Sequence, residues 1–218
     1  MKEQGRLLIV SATEKEVAEI RTWAFSQHLP AVFCITGPGI AATVFELTKT
    51  LLNTDFSLVV NSGIAGSFTD NLKIGEVVQV TEECFGDSGA EDGEKFIHIS
   101  ELGFDRMNEM FSNFYFPVSI KPVPETGLRK VKAITVNKVH GHEHSIQKVR
   151  AKFKPDIETM EGAAVAYTCR ELNIPCLQIR SISNRVEERD KSKWQIDDAV
   201  ASLRQEMIKL LSSLTACL

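Results

Sequence analysis

The sequence has no hydrophobic run approaching the roughly 20 apolar residues that cross a bilayer, which excludes a helical membrane anchor. Its first residues, Met1 to Arg6, lead into only about five apolar positions, too few for the apolar region of a secretory signal. A basic surplus is missing as well. Lys and Arg number 25 against 29 Asp and Glu, a net charge of −4, so no field draws in nucleic acid or an anionic membrane. The five cysteines, Cys34, Cys84, Cys169, Cys176 and Cys217, include no C-x-x-C pair, and an odd count closes no disulfide framework. Reduced, mostly buried thiols in a cytoplasmic protein are the expectation. With no repeat, linker or low-complexity tract, one domain over residues 1–218 is expected.

What is present is an ordinary globular balance, 43% apolar and 25% charged, with short apolar runs alternating with helical patterns. Leu7–Val10 reads as a buried strand, Ala31–Ile35 as a second strand and Leu58–Val60 as a third, ending at Asn61-Ser62-Gly63. Helices are expected over Glu14–Phe25 and Ile40–Leu52, the second after the turn Gly37-Pro38-Gly39. Gly75–Val80 reads as a further strand, Phe85–His98 as a long polar loop, Leu102–Phe111 as weakly helical and Ala133–Val136 as a strand. Then follow helix His144–Phe153, strand Ile157–Met160, helix Glu161–Leu172, strand Cys176–Ile182 and a last helix over Ile196–Leu214. The alternation implies an α/β fold: a three-layer αβα arrangement with a mixed, mainly parallel central sheet.

In such sheets ligands sit beyond the carboxyl ends of the strands. Those ends read Ser11–Glu16, Thr36–Gly39, Asn61–Gly66, Thr159–Gly162 and Ser181–Asn184. Gly37-x-Gly39-x-x-Ala42 formally matches a dinucleotide fingerprint, but Asn61, not an acid, ends the next strand, so a backbone turn approaching some other ligand is the better reading. Asn61–Gly66 is either a tight turn or a floor of N–H groups. Glu161 is either a helix-capping carboxylate or a ligand-binding one. His140-Gly141-His142-Glu143-His144 would bind zinc only if its loop folded tightly, and no second cluster completes a site, so loop or pocket residues are expected and no metal.

Taken together, the segments Ser11-Ala12-Thr13-Glu14-Lys15-Glu16-Val17, Thr36-Gly37-Pro38-Gly39-Ile40, Asn61–Gly66 with Gly75–Val78, Met160-Glu161-Gly162-Ala163-Ala164 and Arg180–Asn184 resemble the purine nucleoside phosphorylase/nucleosidase family over nearly the whole chain. The likeness is greatest to the futalosine hydrolase and methylthioadenosine/adenosylhomocysteine nucleosidase branches. By motif position, the resemblance implies that Glu16 holds and deprotonates the attacking water and that Glu161 binds the ribose hydroxyls, with Met160 packed on the sugar. Arg180 lies near the nucleophile, and Val139 falls where backbone groups hold the base. Gly39, Gly63 and Ile64 belong to the same pocket. Ile64 stands where relatives often carry a serine, which leaves more of the orientation to Glu16 and Arg180.

Two departures set the expected chemistry. Where phosphorylases open with an arginine-bearing phosphate loop, this sequence has Glu14-Lys15-Glu16, which favours water over phosphate. Where adenine-releasing enzymes carry an aspartic acid that protonates N7, it has Asn184, whose amide can only hydrogen-bond. The resemblance therefore implies hydrolysis of futalosine to hypoxanthine and dehypoxanthine futalosine, in menaquinone synthesis, with no cofactor. Adenine release from methylthioadenosine, phosphorolysis and a nucleoside-binding protein without catalysis are the alternatives. Asn184–Asp190 with Trp194 resembles the futalosine hydrolase continuation; Arg185 or Arg189 would face the substrate's benzoate or form a solvated loop. The resemblance also implies a homodimer or larger homo-oligomer. The apolar residues of 102–118, among them Phe104, Met107, Met110, Phe111, Phe114, Tyr115 and Phe116, suit either that interface or the core.

Overall fold

The computed structural model describes residues 6–104 and 110–216. In chain order the strands are β1 (Leu7–Ser11), β2 (Ala31–Ile35), β3 (Leu58–Ser67), β4 (Val77–Phe85), β5 (Gly89–Asp92), β6 (Lys95–His98), β7 (Phe116–Pro117), β8 (Arg129–Thr135), β9 (Ile157–Thr159) and β10 (Cys176–Arg185). The described helices are α1 (Glu14–Ser26), α2 (Ile40–Asn53), α3 (Glu143–Phe153), α4 (Gly162–Glu171) and α5 (Ile196–Ala216).

The sheet is mixed and mainly parallel, as the alternation implies. β1 pairs in parallel with β2 and β3, β10 with β3, and β8 with β4 and β9, while β10–β4, β3–β9 and β4–β7 are antiparallel. It is not an open middle layer, however. The order β10-β4-β8-β9-β3 returns to β10, so five strands close on themselves and β1 and β2 extend the sheet beyond β3. Closure is possible because β3 and β10 are each ten residues long, extending past the Leu58–Val60 and Cys176–Ile182 segments read from the sequence, and take different neighbours along their course.

That length corrects two expectations. Asn61–Gly66 is neither a turn nor a loop beyond the sheet: it is the second half of β3, just as Ser183–Arg185 ends β10. Glycine and asparagine read locally as turn residues, but their place here is set by a neighbouring strand. Arg180 is registered against Gly63 and Asn184 against Gly66, so each glycine leaves room for a long or polar side chain on the partner strand. Between Ile182 and Asn184 a bulge shifts the register, a device that re-aims side chains near a site. The expected 85–98 loop is in fact the two-stranded β5–β6 ribbon followed by a short 3-10 turn at Ile99–Glu101. Of the weak helix expected over Leu102–Phe111, residues 105–109 lie outside the described residues.

Three apolar clusters hold the layers together. One joins α2 and α4 to the sheet through Leu47, Leu51, Val59, Val80, Ala163 and Val165. A second joins α1 and α5 to its other side through Val17, Ile20, Val60, Ile179, Leu203 and Met207. The third packs α3 through Ile146, Val149 and Phe153 against Ile134, Val136 and Tyr115. Met110, Tyr115 and Phe116 are thus core residues, with Phe111 and Phe114 packed against the core; Phe104 is exposed, and Met107 lies outside the described residues. The other large exposed apolar side chains include Phe45 and Leu52 of α2.

Candidate functional site

Glu16 sits at the third position of α1 because Thr13 caps that helix. Its Oε2 reaches back to the Thr13 backbone N–H at 2.9 Å and the Thr13 hydroxyl at 2.7 Å, the carboxylate half of a capping box. Its Oε1 accepts from the Ile64 backbone N–H at 3.1 Å. One side chain therefore ties α1 to the middle of β3, and although it is only 8% exposed it still reaches a cavity wall.

Beneath it lies Arg180. A Cβ on Gly63 would stand 3.0 Å from Glu16 Oε1 and 3.1 Å from Arg180 Nη1, so the missing side chain is what leaves room for both the carboxylate and the guanidinium over β3. Arg180 is 2% exposed and donates from Nη1 to the Asn61 carbonyl and side-chain oxygen at 3.3 and 3.2 Å, while its Nε has no partner. Burial pushes its pKa down from the ordinary value; Glu161, Glu16 and Glu83 oppose that shift. Arg180 lies behind the cavity rather than on its wall, so its effect on anything bound there passes through the carboxylates it compensates.

Glu161 is the N-cap of α4, and its Oε1 accepts from the Gly39 backbone N–H at 2.9 Å. Gly39 can present that N–H because it takes φ 93°, next to Gly37 at φ 79°, in a turn closed to most L residues. This turn is what the formal dinucleotide fingerprint amounts to: an anchor for a carboxylate. Burial raises the Glu161 pKa, the Gly39 hydrogen bond and Arg180 oppose the rise, and Glu16 adds to it.

A cavity of about 520 Å³ lies over these residues. Of the residues expected at the site, Glu16, Glu161, Met160, Val139, Ile64 and Asn184 line it; Gly39, Gly63 and Arg180 stand behind, holding liners in place. Asn184 donates from Nδ2 to the Arg185 carbonyl at 2.8 Å, and its Oδ1 lies 2.8 Å from the Ser183 hydroxyl, leaving one amide N–H uncommitted. The wall also includes Lys15, Arg189, Trp194, Ile196 and Val200. There the Arg189 guanidinium lies over the Trp194 ring at 5.3 Å from its centre. Arg185 points elsewhere: it donates from Nη2 to the Asp70 carbonyl at 3.3 Å and also reaches the Thr69 carbonyl.

Two carboxylates escaped the sequence reading. Glu158 of β9 lines the cavity and takes the His140 backbone N–H at 3.0 Å and the His140 ring through Nδ1. Glu83 of β4 is fully buried, accepting from Gln178 at 2.8 Å and Thr135 at 3.0 Å, and burial lifts its pKa to about 7. The available signal was an acid at an inward-facing position of a strand, Glu83 within Val77–Phe85 and Glu158 within Ile157–Thr159, where a partner from another element is needed to offset burial. The histidine-rich loop divides its labour: His140 joins Glu158, His142 caps α3 and His144 is exposed in its first turn. Among the described residues, no three His, Cys, Asp or Glu side chains are placed to hold a metal ion.

The sequence profile of the phosphorylase superfamily matches residues 13–218. A futalosine hydrolase of Streptomyces coelicolor is 30% identical over 156 residues, covering 71% of this chain and 65% of that protein, just under two thirds of its length. A futalosine hydrolase of Thermus thermophilus is 25% identical over 205 residues, covering 91% and 89%. Among solved structures, the 5'-methylthioadenosine/S-adenosylhomocysteine nucleosidase of Colwellia psychrerythraea in complex with adenine superimposes with a TM-score of 0.75 at 19% identity, over 96% of each chain.

Proposed function

The chain belongs to the phosphorylase superfamily, and on that premise we propose that it hydrolyses the N-glycosidic bond of a purine nucleoside, with futalosine as substrate and hypoxanthine as the released base. The observation that carries this reading is the pair Glu16 and Glu161, which come from α1 and the start of α4 to line one cavity over a single buried guanidinium.

Breaking a ribosyl–purine bond builds positive charge on the sugar and negative charge on the base. Glu161, with one oxygen fixed by Gly39, turns the other toward the ribose hydroxyls and favours the cation. Glu16, with its oxygens fixed by Thr13 and Ile64, holds the attacking water and takes its proton. A carboxylate in this place repels phosphate, so water is the nucleophile. Met160 packs on the sugar, Val139 meets the base through its backbone, and the free N–H of Asn184 hydrogen-bonds it. Arg180 balances both carboxylates from behind.

Futalosine is favoured over methylthioadenosine by the amide at Asn184 and by relatives named futalosine hydrolase at 25% and 30% identity. Trp194 and Arg189 on the cavity wall suit an aromatic acid on the nucleoside's 5′ side. The test is incubation with futalosine, methylthioadenosine and inosine in phosphate-free buffer, with identification of the base. Hypoxanthine from futalosine is the expected product; faster adenine release from methylthioadenosine would overturn the substrate, and no release at all would overturn the activity.

A further inference from the structure

We propose that His140, oriented by Glu158, is the acid that gives the departing base its proton. This rests on the N-glycosidase reading of the same cavity. Cleavage leaves an electron pair on the base, and a purine leaves far more readily as a neutral molecule. The other groups on the wall cannot supply the proton. Glu16 and Glu161 are both needed as anions in that reading, Glu16 to take the proton of water and Glu161 to favour the sugar cation, and backbone N–H groups of Thr13, Ile64 and Gly39 donate to them. The Asn184 amide does not release one, nor does the Arg189 guanidinium. Lys15 is turned to Asp197 at 2.6 Å.

His140 directly follows Val139, and both line the cavity. Glu158 spends both its oxygens on this one residue, Oε1 on the backbone N–H at 3.0 Å and Oε2 on Nδ1, and is itself 5% exposed. Phe68 packs against the ring at 6.4 Å between centres. With Nδ1–H committed to a carboxylate, Nε2 is the remaining polar atom of the ring, and no described residue hydrogen-bonds it. Arrangements of this kind fix an imidazole by one nitrogen so that the other can exchange a proton. The charged groups around the ring are Glu158 of β9, Arg150 of α3 over the Phe68 ring at 5.9 Å, Arg189 beside Gly141, and Glu16 and Glu161 on the cavity wall.

The step balances. The C1′–N bond breaks and its electron pair goes to the base, while the proton on Nε2 moves to a nitrogen of that base. The water oxygen bonds C1′ and its proton passes to Glu16. Glu16 then loses that proton to solvent, and His140 regains one.

The test compares His140→Gln with the wild type on the nucleoside the wild type turns over. Glutamine hydrogen-bonds but cannot transfer a proton, so kcat falls about 10²–10⁴-fold with KM changed only a few-fold. An acid acts while protonated, so wild-type kcat declines as pH rises through its ionisation, and that alkaline limb disappears in the variant. If the pair only pinned the 139–141 segment, KM and the thermal midpoint would move while the limb stayed, which overturns the proposal. Should His140→Gln fail to fold, Glu158→Gln carries the test: it lowers kcat and displaces the alkaline limb, and an unmoved limb overturns the idea. A wild type that releases no base sinks the activity and the acid together; an active wild type with an unimpaired His140→Gln sinks the acid alone.

Discussion

Glu161 Oε1 accepts a 2.9 Å hydrogen bond from the Gly39 backbone N–H, so the residue that caps α4 is anchored by the residue that caps α2. Two helix starts, 122 positions apart in sequence, thereby fix one carboxylate oxygen and leave the other to the cavity. Burial raises the pKa of that carboxyl group.

A pH dependence follows. Glu161 acts as the anion, which is lost as pH falls through its raised pKa, so the acid limb of kcat/KM lies above the ordinary carboxylate range near 4.3. Glu161→Gln should cost about 10²–10³-fold in kcat and lose that limb. Steady-state kinetics from pH 4 to 9 check it; an unchanged acid limb in the variant would assign it to another group.

Glu16→Gln should lower base release by about 10²–10⁴-fold, since an amide cannot take the proton of water. Nucleoside binding, followed by calorimetry, should persist, because the cavity wall keeps its shape. Full turnover in the variant would remove Glu16 from the chemistry.

Gly162 opens α4 against the buried acid. A Cβ there would stand 1.9 Å from Glu83 Oε1 and 2.4 Å from Gln178 Nε2. Both neighbours are enclosed and hydrogen-bonded, so Gly162→Ala should cost about 1–3 kcal/mol of stability in urea denaturation, the usual toll of overpacking. A midpoint equal to that of the wild type would mean the cluster yields freely.

Glu83 has its pKa raised to about 7 by burial. The folded state therefore holds this proton more tightly than the unfolded chain does. The stability that Glu83 contributes is present at low pH and is lost as pH rises from the ordinary carboxylate value to about 7, levelling off above. Glu83→Gln removes that dependence, and the Gln178 Oε1 atom, which has no partner, can accept from the new amide after a flip. The thermal midpoint of the variant relative to wild type should rise between pH 5 and 8; a flat difference would show that Glu83 ionises normally.

Much of this was legible before folding. The strands β1 and β2 and the helices α1, α2, α3 and α4 lie within a few residues of where apolar periodicity puts them, because each packs apolar side chains against the core. Glu16 and Glu161 were legible as helix-start acids. The extension of β3 through Asn61–Gly66 was not, since glycine and asparagine look like turn residues until an arginine and an asparagine from β10 are registered against them.

The sequence by itself determined the class of the protein: alternating strands and helices, no membrane-length apolar run, and a set of acids placed where helices begin. Only the tertiary structure decided that the sheet closes on itself, that Arg180 stands behind the cavity rather than in it, and that Glu158 and Glu83 are buried. The physical reason is that local pattern records which face of an element is apolar. Burial of a charge depends instead on partners such as His140, Gln178 and Thr135, which lie on other elements and meet it only when the chain is folded.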